Sequence, residues 1–105
     1  MTFQYDSVRN QDIEKQMEEL PDLVASALER WRTTTLDREK CEALVYLKSK
    51  YEDKERSATE IKALVNSDEA RYSCVLAELK AEAEYIRLLE RLQSAKKVAS
   101  LRTAF

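Results

Sequence analysis

The sequence predicts an all-α protein, and three observations carry that prediction. Its 105 residues include no glycine and a single proline. Sheets joined by tight turns and phosphate-binding α/β folds draw on glycine for positive φ, so both are disfavoured. Charged residues make up 36% of the chain beside 44% hydrophobic ones, the composition of long helices and coiled coils. Apolar positions also recur at intervals of three and four over most of the length, the period of an amphipathic helix.

In chain order, residues 1–6 read as a frayed polar and aromatic lead. A short helix over about 7–19 is expected next, with Ser7 as N-cap and Val8, Ile13 and Met17 at helical spacing. Leu20-Pro21 predicts a break or kink, because proline disfavours helical backbone in the residue before it and suits a first turn. The domain division expected is therefore 1–20, a lead and short helix, and 21–105, a helical hairpin.

A long helix is predicted from about 21 to 53. Leu23, Ala27 and Trp31 recur every four residues, with Val24 and Leu28 beside them, and Cys41, Leu44, Leu47 and Tyr51 continue the stripe. Thr33, Thr34 and Thr35 lower helix propensity between these groups, yet no glycine or proline marks a stop, so the helix is expected to continue. Ser57-Ala58-Thr59-Glu60 fits a capping box and opens a short helix over about 58–65, with Ile61, Leu64 and Val65 on its buried face. Asn66-Ser67-Asp68-Glu69 is a second cap signature, with Ser67 expected as the cap. A final helix to about 101 follows, its seam being Tyr72, Val75, Leu79, Ala83, Ile86 and Leu89.

The fold expected is thus an antiparallel helical hairpin, two long helices joined by a short one, with a short N-terminal helix before it. One hairpin buries a single stripe per long helix, and small chains with so little enclosed core tend to associate. A homo-oligomeric assembly follows as an expectation, with Leu28, Trp31, Val75, Leu79, Ile86 and Leu89 as its interface.

Several functions are disfavoured. The chain has no histidine, which removes the default general base and the commonest metal ligand. Cys41 and Cys74 have no CxxC partner, and they read as reduced, small core groups of a cytosolic protein. Glu78 and Glu82 share a helix face at a spacing compatible with a metal pair, but no histidine or second inward acidic pair accompanies them. No catalytic residue, metal or cofactor is expected. No apolar run is long enough for a membrane span and no signal peptide is evident, so a cytoplasmic location is expected.

The net charge of −2 is uneven. Residues 1–29 hold seven acids and two bases, whereas 85–105 hold five bases (Arg87, Arg91, Lys96, Lys97, Arg102) and one acid, Glu90. These bases could form a phosphate track, or complement the dipole of the last helix and pair with acids elsewhere. A second basic cluster, Lys48, Lys50, Lys54 and Arg56 with Tyr51 among them, has the cations and the ring that single-stranded DNA binding uses. From spacing alone it reads more readily as a solvated helix end, its cations favoured by the dipole and partly paired with Glu52 and Glu55.

The run Arg38-Glu39-Lys40-Cys41-Glu42-Ala43-Leu44-Val45-Tyr46-Leu47-Lys48-Ser49-Lys50-Tyr51 resembles the basic helix of UvsY-type phage recombination mediators. In that family a Lys-x-Arg or Lys-x-Lys pair followed by tyrosine precedes a turn. Glu60-Ile61-Lys62-Ala63-Leu64-Val65-Asn66-Ser67-Asp68 looks like the family's short helix with its Leu-Val-x-x-Asp ending. The long last helix (Leu76, Leu79, Ala83, Tyr85, Leu89) and Ala99-Ser100-Leu101-Arg102 agree with its layout, and the similarity spans about residues 36–104. It departs from the family in having no glycine at the turn and in carrying Glu52, Asp53 and Glu55 beside the basic pair. The resemblance implies a ring-forming, non-enzymatic protein of the host-cell cytoplasm that binds single-stranded DNA. Such a protein helps load a RecA-like recombinase onto strands covered by a single-strand-binding protein. Lys48 and Lys50 match the family's DNA-contacting pair, with Tyr51 adjacent. The alternative expected from the residues alone is a structural or adaptor coiled coil, a scaffold, chaperone or virion component that binds a protein partner and no DNA.

Overall fold

The computed structural model describes the backbone of residues 2–103 and the side chains of residues 12–102. Three helices account for it: α1 (Thr2–Glu52), α2 (Ala58–Ser67) and α3 (Glu69–Thr103), with no strand among the described residues. The chain divides into two compact units. Unit 1 is Met1–Glu29 with Ala83–Phe105, and unit 2 is Arg30–Glu82.

The separate N-terminal helix expected before Pro21 does not form. α1 is one element of 51 residues with Pro21 inside it. Ser7, the expected N-cap, therefore lies within the helix, and its side chain falls outside the described residues. A proline inside a helix removes one ladder bond, here to the Met17 carbonyl, and costs about 3 kcal/mol. The packing of unit 1 explains why helix is kept. Leu20 and Ala27 are buried with Leu88, Leu92 and Ala95, and Met17, Val24 and Tyr85 pack against that cluster. The α1 members, 17, 20, 24 and 27, bracket Pro21, so breaking the helix there would divide the apolar stripe. The α3 members, 85, 88, 92 and 95, repeat the same 3-4-3 spacing, the period of knobs-into-holes packing. Burial of each leucine contributes about 1.5–3 kcal/mol, enough in sum to outweigh the proline.

The threonine run stays helical, as the absence of any breaker suggested. The Thr34 hydroxyl donates to the Trp31 carbonyl at 2.7 Å, a back-bond that satisfies a polar side chain inside a helix.

In unit 2 the turn after α1 is made without glycine, and no described residue has positive φ. Asp53 builds it: its carboxylate accepts from the Glu55 amide at 3.0 Å and its carbonyl from the Arg56 amide at 3.2 Å. An aspartate that bonds its own backbone two residues on closes a turn that would otherwise call for a more permissive residue. Ser57 then caps α2, its hydroxyl accepting from the Glu60 amide at 3.2 Å, which is the Ser57 half of the predicted box. Ile61 is the buried residue of α2.

The expected cap of the last helix moves by one residue. Ser67 ends α2, its hydroxyl donating to the Leu64 carbonyl. Asp68 takes both roles at the junction: its amide bonds the Val65 carbonyl and its carboxylate accepts from the Arg71 amide at 2.9 Å. A carboxylate at the positive end of a helix dipole is favoured over a neutral hydroxyl.

The seam expected on α3 is corrected as well. Tyr72, Leu79 and Ile86 are exposed, Ala83 is exposed, and Val75 and Leu89 are half-buried. The side chains turned inward within unit 2 include Arg71 and Glu78, which meet acids and bases of α1. α3 carries two stripes of helical period, and the ionic one faces α1 in unit 2.

Candidate functional site

Glu42 of α1 sits between two guanidinium groups. It is 3.0 Å from Arg38 one turn earlier on its own helix and 3.0 Å from Arg71 of α3. Arg38 also holds Glu78 of α3 through its Nε. The four side chains are each about a quarter exposed, and the bonds alternate in sign along Arg71, Glu42, Arg38 and Glu78. The hydrogen bond from Arg38, aided by Arg71 and opposed by burial, holds the Glu42 carboxyl below the usual carboxylate range. Glu78 and then Glu42 push the Arg38 guanidinium up in turn. This is a clamp between helices in which every charge is matched. Glu78, one of the two acids spaced for a metal, spends its carboxylate on Arg38. Among the described residues no cluster of three or more metal-ligating side chains exists.

The basic segment at the end of α1 divides by role. Lys50 donates from Nζ to the Arg56 carbonyl at 3.1 Å, and Arg56 donates to the Ser49 carbonyl at 3.0 Å while pairing with Glu52 at 3.5 Å. Both cations therefore tie the helix end to the turn: Arg56 adds a second donor to the Ser49 carbonyl, which also accepts from the Asp53 amide at 3.3 Å, and Lys50 reaches the carbonyl of Arg56 beyond the helix. Lys48 and Lys54 are exposed. Tyr51 is 86% exposed and forms no part of a core at the turn. At 100° per residue Lys48 and Lys50 stand about 200° apart around α1, so they address different surroundings. Lys48 shares with Asp37, Lys40, Cys41, Leu44 and Asp68 a surface groove of about 380 Å³. The bases of unit 1 divide as well. Arg87, Arg91, Lys96 and Lys97 are exposed and Arg102 is half-buried; at 100° per residue Arg87, Arg91 and Arg102 fall within an arc of about 60° on α3, and Lys96 and Lys97 lie outside it.

Unit 2 also presents exposed apolar side chains on both long helices. On α1, Leu36, Leu44, Leu47 and Tyr51 are exposed, Leu36 at 65% and Leu47 at 63%, within an arc of about 80°. On α3, Tyr72, Leu76 and Leu79 are exposed, Tyr72 at 64%. In sequence their 4-3 spacing runs on to Ala83 and Ile86, which are exposed in unit 1. Of the interface residues expected from sequence, Leu79 and Ile86 lie on this stripe, and Val75 and Leu89 are half-buried on the same helix. Leu28 and Trp31 are half-buried on α1. Leu36, Leu47 and Leu76 are not among the interface residues expected, although Leu47 lies on the apolar stripe predicted for the long helix, and a count of both stripes on each helix adds Leu36 and Leu76.

No helix is long and apolar enough to cross a membrane among the described residues. Comparison with known protein families, with curated proteins and with solved structures finds no match to this chain.

Proposed function

We propose that this chain is a non-enzymatic helical interaction protein that works as a homo-oligomer. Its two long helices fold back as an antiparallel hairpin, and the outer stripe of α3 packs against the same stripe of a second copy. The observation that carries this reading is the exposure of Tyr72, Leu76 and Leu79 at coiled-coil spacing. A contiguous apolar stripe on a small charged chain is a liability unless something covers it. The flanking charges favour a second copy. With Leu76 and Ala83 at one core position and Leu79 and Ile86 at the other, Glu82 and Arg87 occupy the two flanking positions. Those positions meet between parallel helices in register, so each Glu82 would face Arg87 of the other copy. The hairpin reading draws on the ion pairs of unit 2, in which residues 38 and 42 of α1 meet 78 and 71 of α3 in descending order.

Sedimentation of the intact chain over a dilution series tests this. The expected result is an oligomer that dissociates on dilution, and a monomer of unchanged helicity when Leu76→Glu and Leu79→Glu are combined. A wild-type chain that stays monomeric at every concentration would overturn the reading.

A second reading, binding of single-stranded DNA with delivery of a RecA-like recombinase to strands held by a single-strand-binding protein, is favoured by one observation. Tyr51 presents its ring to solvent with exposed Lys48 three residues before it and exposed Lys54 three after. An oligomer would set several copies of that group along one strand and gain by multivalency. Fluorescence anisotropy with labelled single-stranded DNA across a salt series decides it. Binding whose log K falls against log salt with a slope of roughly −0.7 per phosphate contacted, and which weakens in Lys48→Ala and Tyr51→Ala, is the expected outcome on this reading. Absence of binding at low salt by the oligomer excludes it.

A further inference from the structure

Cys41 of α1 and Cys74 of α3 both belong to unit 2, and neither takes part in the ionic clamp or the exposed apolar stripes. The ion pairs fix the register around them. Arg38 meets Glu78 and Glu42 meets Arg71, which brings position 41 opposite position 74. Cys74 is among the neighbours that perturb the Cys41 thiol, and both cysteines are free and half-buried. Each also opens to the surface. Cys41 lines the groove shared with Asp37, Lys40 and Lys48, and Cys74 lines an adjoining one with Thr34, Asp37, Ser73 and Ala77. Cys74 shares its groove with the small side chains of Ser73 and Ala77, and a disulfide needs Cα atoms roughly 4.4–6.8 Å apart.

We infer that Cys41 and Cys74 form a reversible redox staple that joins α1 to α3 within unit 2 when a small-molecule disulfide of the glutathione class acts as oxidant. One cysteine thiolate attacks a sulfur of that disulfide, forming a mixed disulfide and expelling one small thiolate. The second cysteine thiolate attacks the protein sulfur of the mixed disulfide and expels the other. Two protein thiols lose two protons and two electrons, and the small disulfide is reduced to two thiols. The bond closes a loop that contains the turn and all of α2, so it restricts the unfolded chain and strengthens the union of the two helices. Burial, then the neighbouring Cys74, with Asp68 and Glu42 adding their charge, pushes the Cys41 thiol up. The exchange therefore quickens as pH rises and more thiolate forms.

The test uses the intact chain equilibrated in mixtures of reduced and oxidised glutathione, quenched with an alkylating agent and analysed by mass spectrometry with peptide mapping. The expected product is a single chain lighter by two hydrogens, unalkylated, with Cys41 linked to Cys74. Its urea midpoint lies above that of the reduced chain, and Cys74→Ser abolishes the difference between the two conditions. Two thiols still open to alkylation in fully oxidised glutathione would overturn the inference, as would two separate glutathione adducts or a link between different chains. Should Cys74→Ser fail to fold, the oxidised and reduced wild-type chains still give the answer.

Discussion

The two units hold their helices together by different means. Unit 1 closes on Leu20, Ala27, Leu88, Leu92 and Ala95, an apolar cluster with matching 3-4-3 spacing on both helices. Unit 2 joins the same two helices through alternating ions, Arg71, Glu42, Arg38 and Glu78, and buries Ile61 of α2. The apolar cluster draws on area removed from water, which salt and pH leave almost unchanged. The ionic clamp is a quarter exposed, so salt screens it and acid removes it. Unit 1 thus supplies strength, and unit 2 supplies register together with an apolar exterior.

Removing Leu88, 4% exposed at the centre of the apolar cluster, bears hardest on this contrast. Leu88→Ala is expected to lower stability by about 2–5 kcal/mol, read as a fall in the urea midpoint, with the loss nearly independent of salt. A loss below about 1 kcal/mol would mean that the cluster does not dominate.

Pro21 probes the same unit from the other side. Pro21→Ala restores a ladder bond to the Met17 carbonyl and is expected to stabilise the chain by up to about 3 kcal/mol, measured by thermal unfolding followed by circular dichroism. An unchanged or lower midpoint would show that the helix relies on the proline.

The smallest effect belongs to the clamp. Glu42→Gln removes two ion pairs while leaving Arg38 with Glu78, and is expected to cost about 0.5–1 kcal/mol, less at high salt. The pH dependence has a definite sign. The folded-state pKa of Glu42 lies below its unfolded value, so its contribution is complete above the unfolded value near about 4.3. That contribution is lost as pH falls through the lower folded value. The wild-type chain is therefore expected to lose stability in that acid window more steeply than Glu42→Gln, and parallel curves would remove Glu42 from the account.

Much of the fold was legible residue by residue. The helical class, the passage of α1 through Thr33–Thr35 and the Ser57 cap all follow from interactions within a few residues, which any stretch of chain carries with it. Pro21 was misleading because its local cost is real, yet is exceeded by leucines and alanines brought together from opposite ends of the sequence. Asp68 displaced Ser67 as a cap because adjacent residues competed for one position, and a charged acceptor won. The basic segment was visible as composition alone. Its division into Lys50 and Arg56, which tie a helix end to the turn, and Lys48, Tyr51 and Lys54, which face solvent, depends on where the turn directs each side chain.

The residues by themselves determined that this protein is helical, where its short helix starts, and how a chain without glycine can turn, because propensity, capping and an aspartate turn act locally. Only the tertiary structure decided which stripe of α3 lies inside. Both stripes have the same period and either could be buried; what selects between them is the side chains of α1 that come to lie opposite. In unit 2 those are Arg38 and Glu42, so Glu78 and Arg71 turn inward and Tyr72, Leu76 and Leu79 are left on the surface.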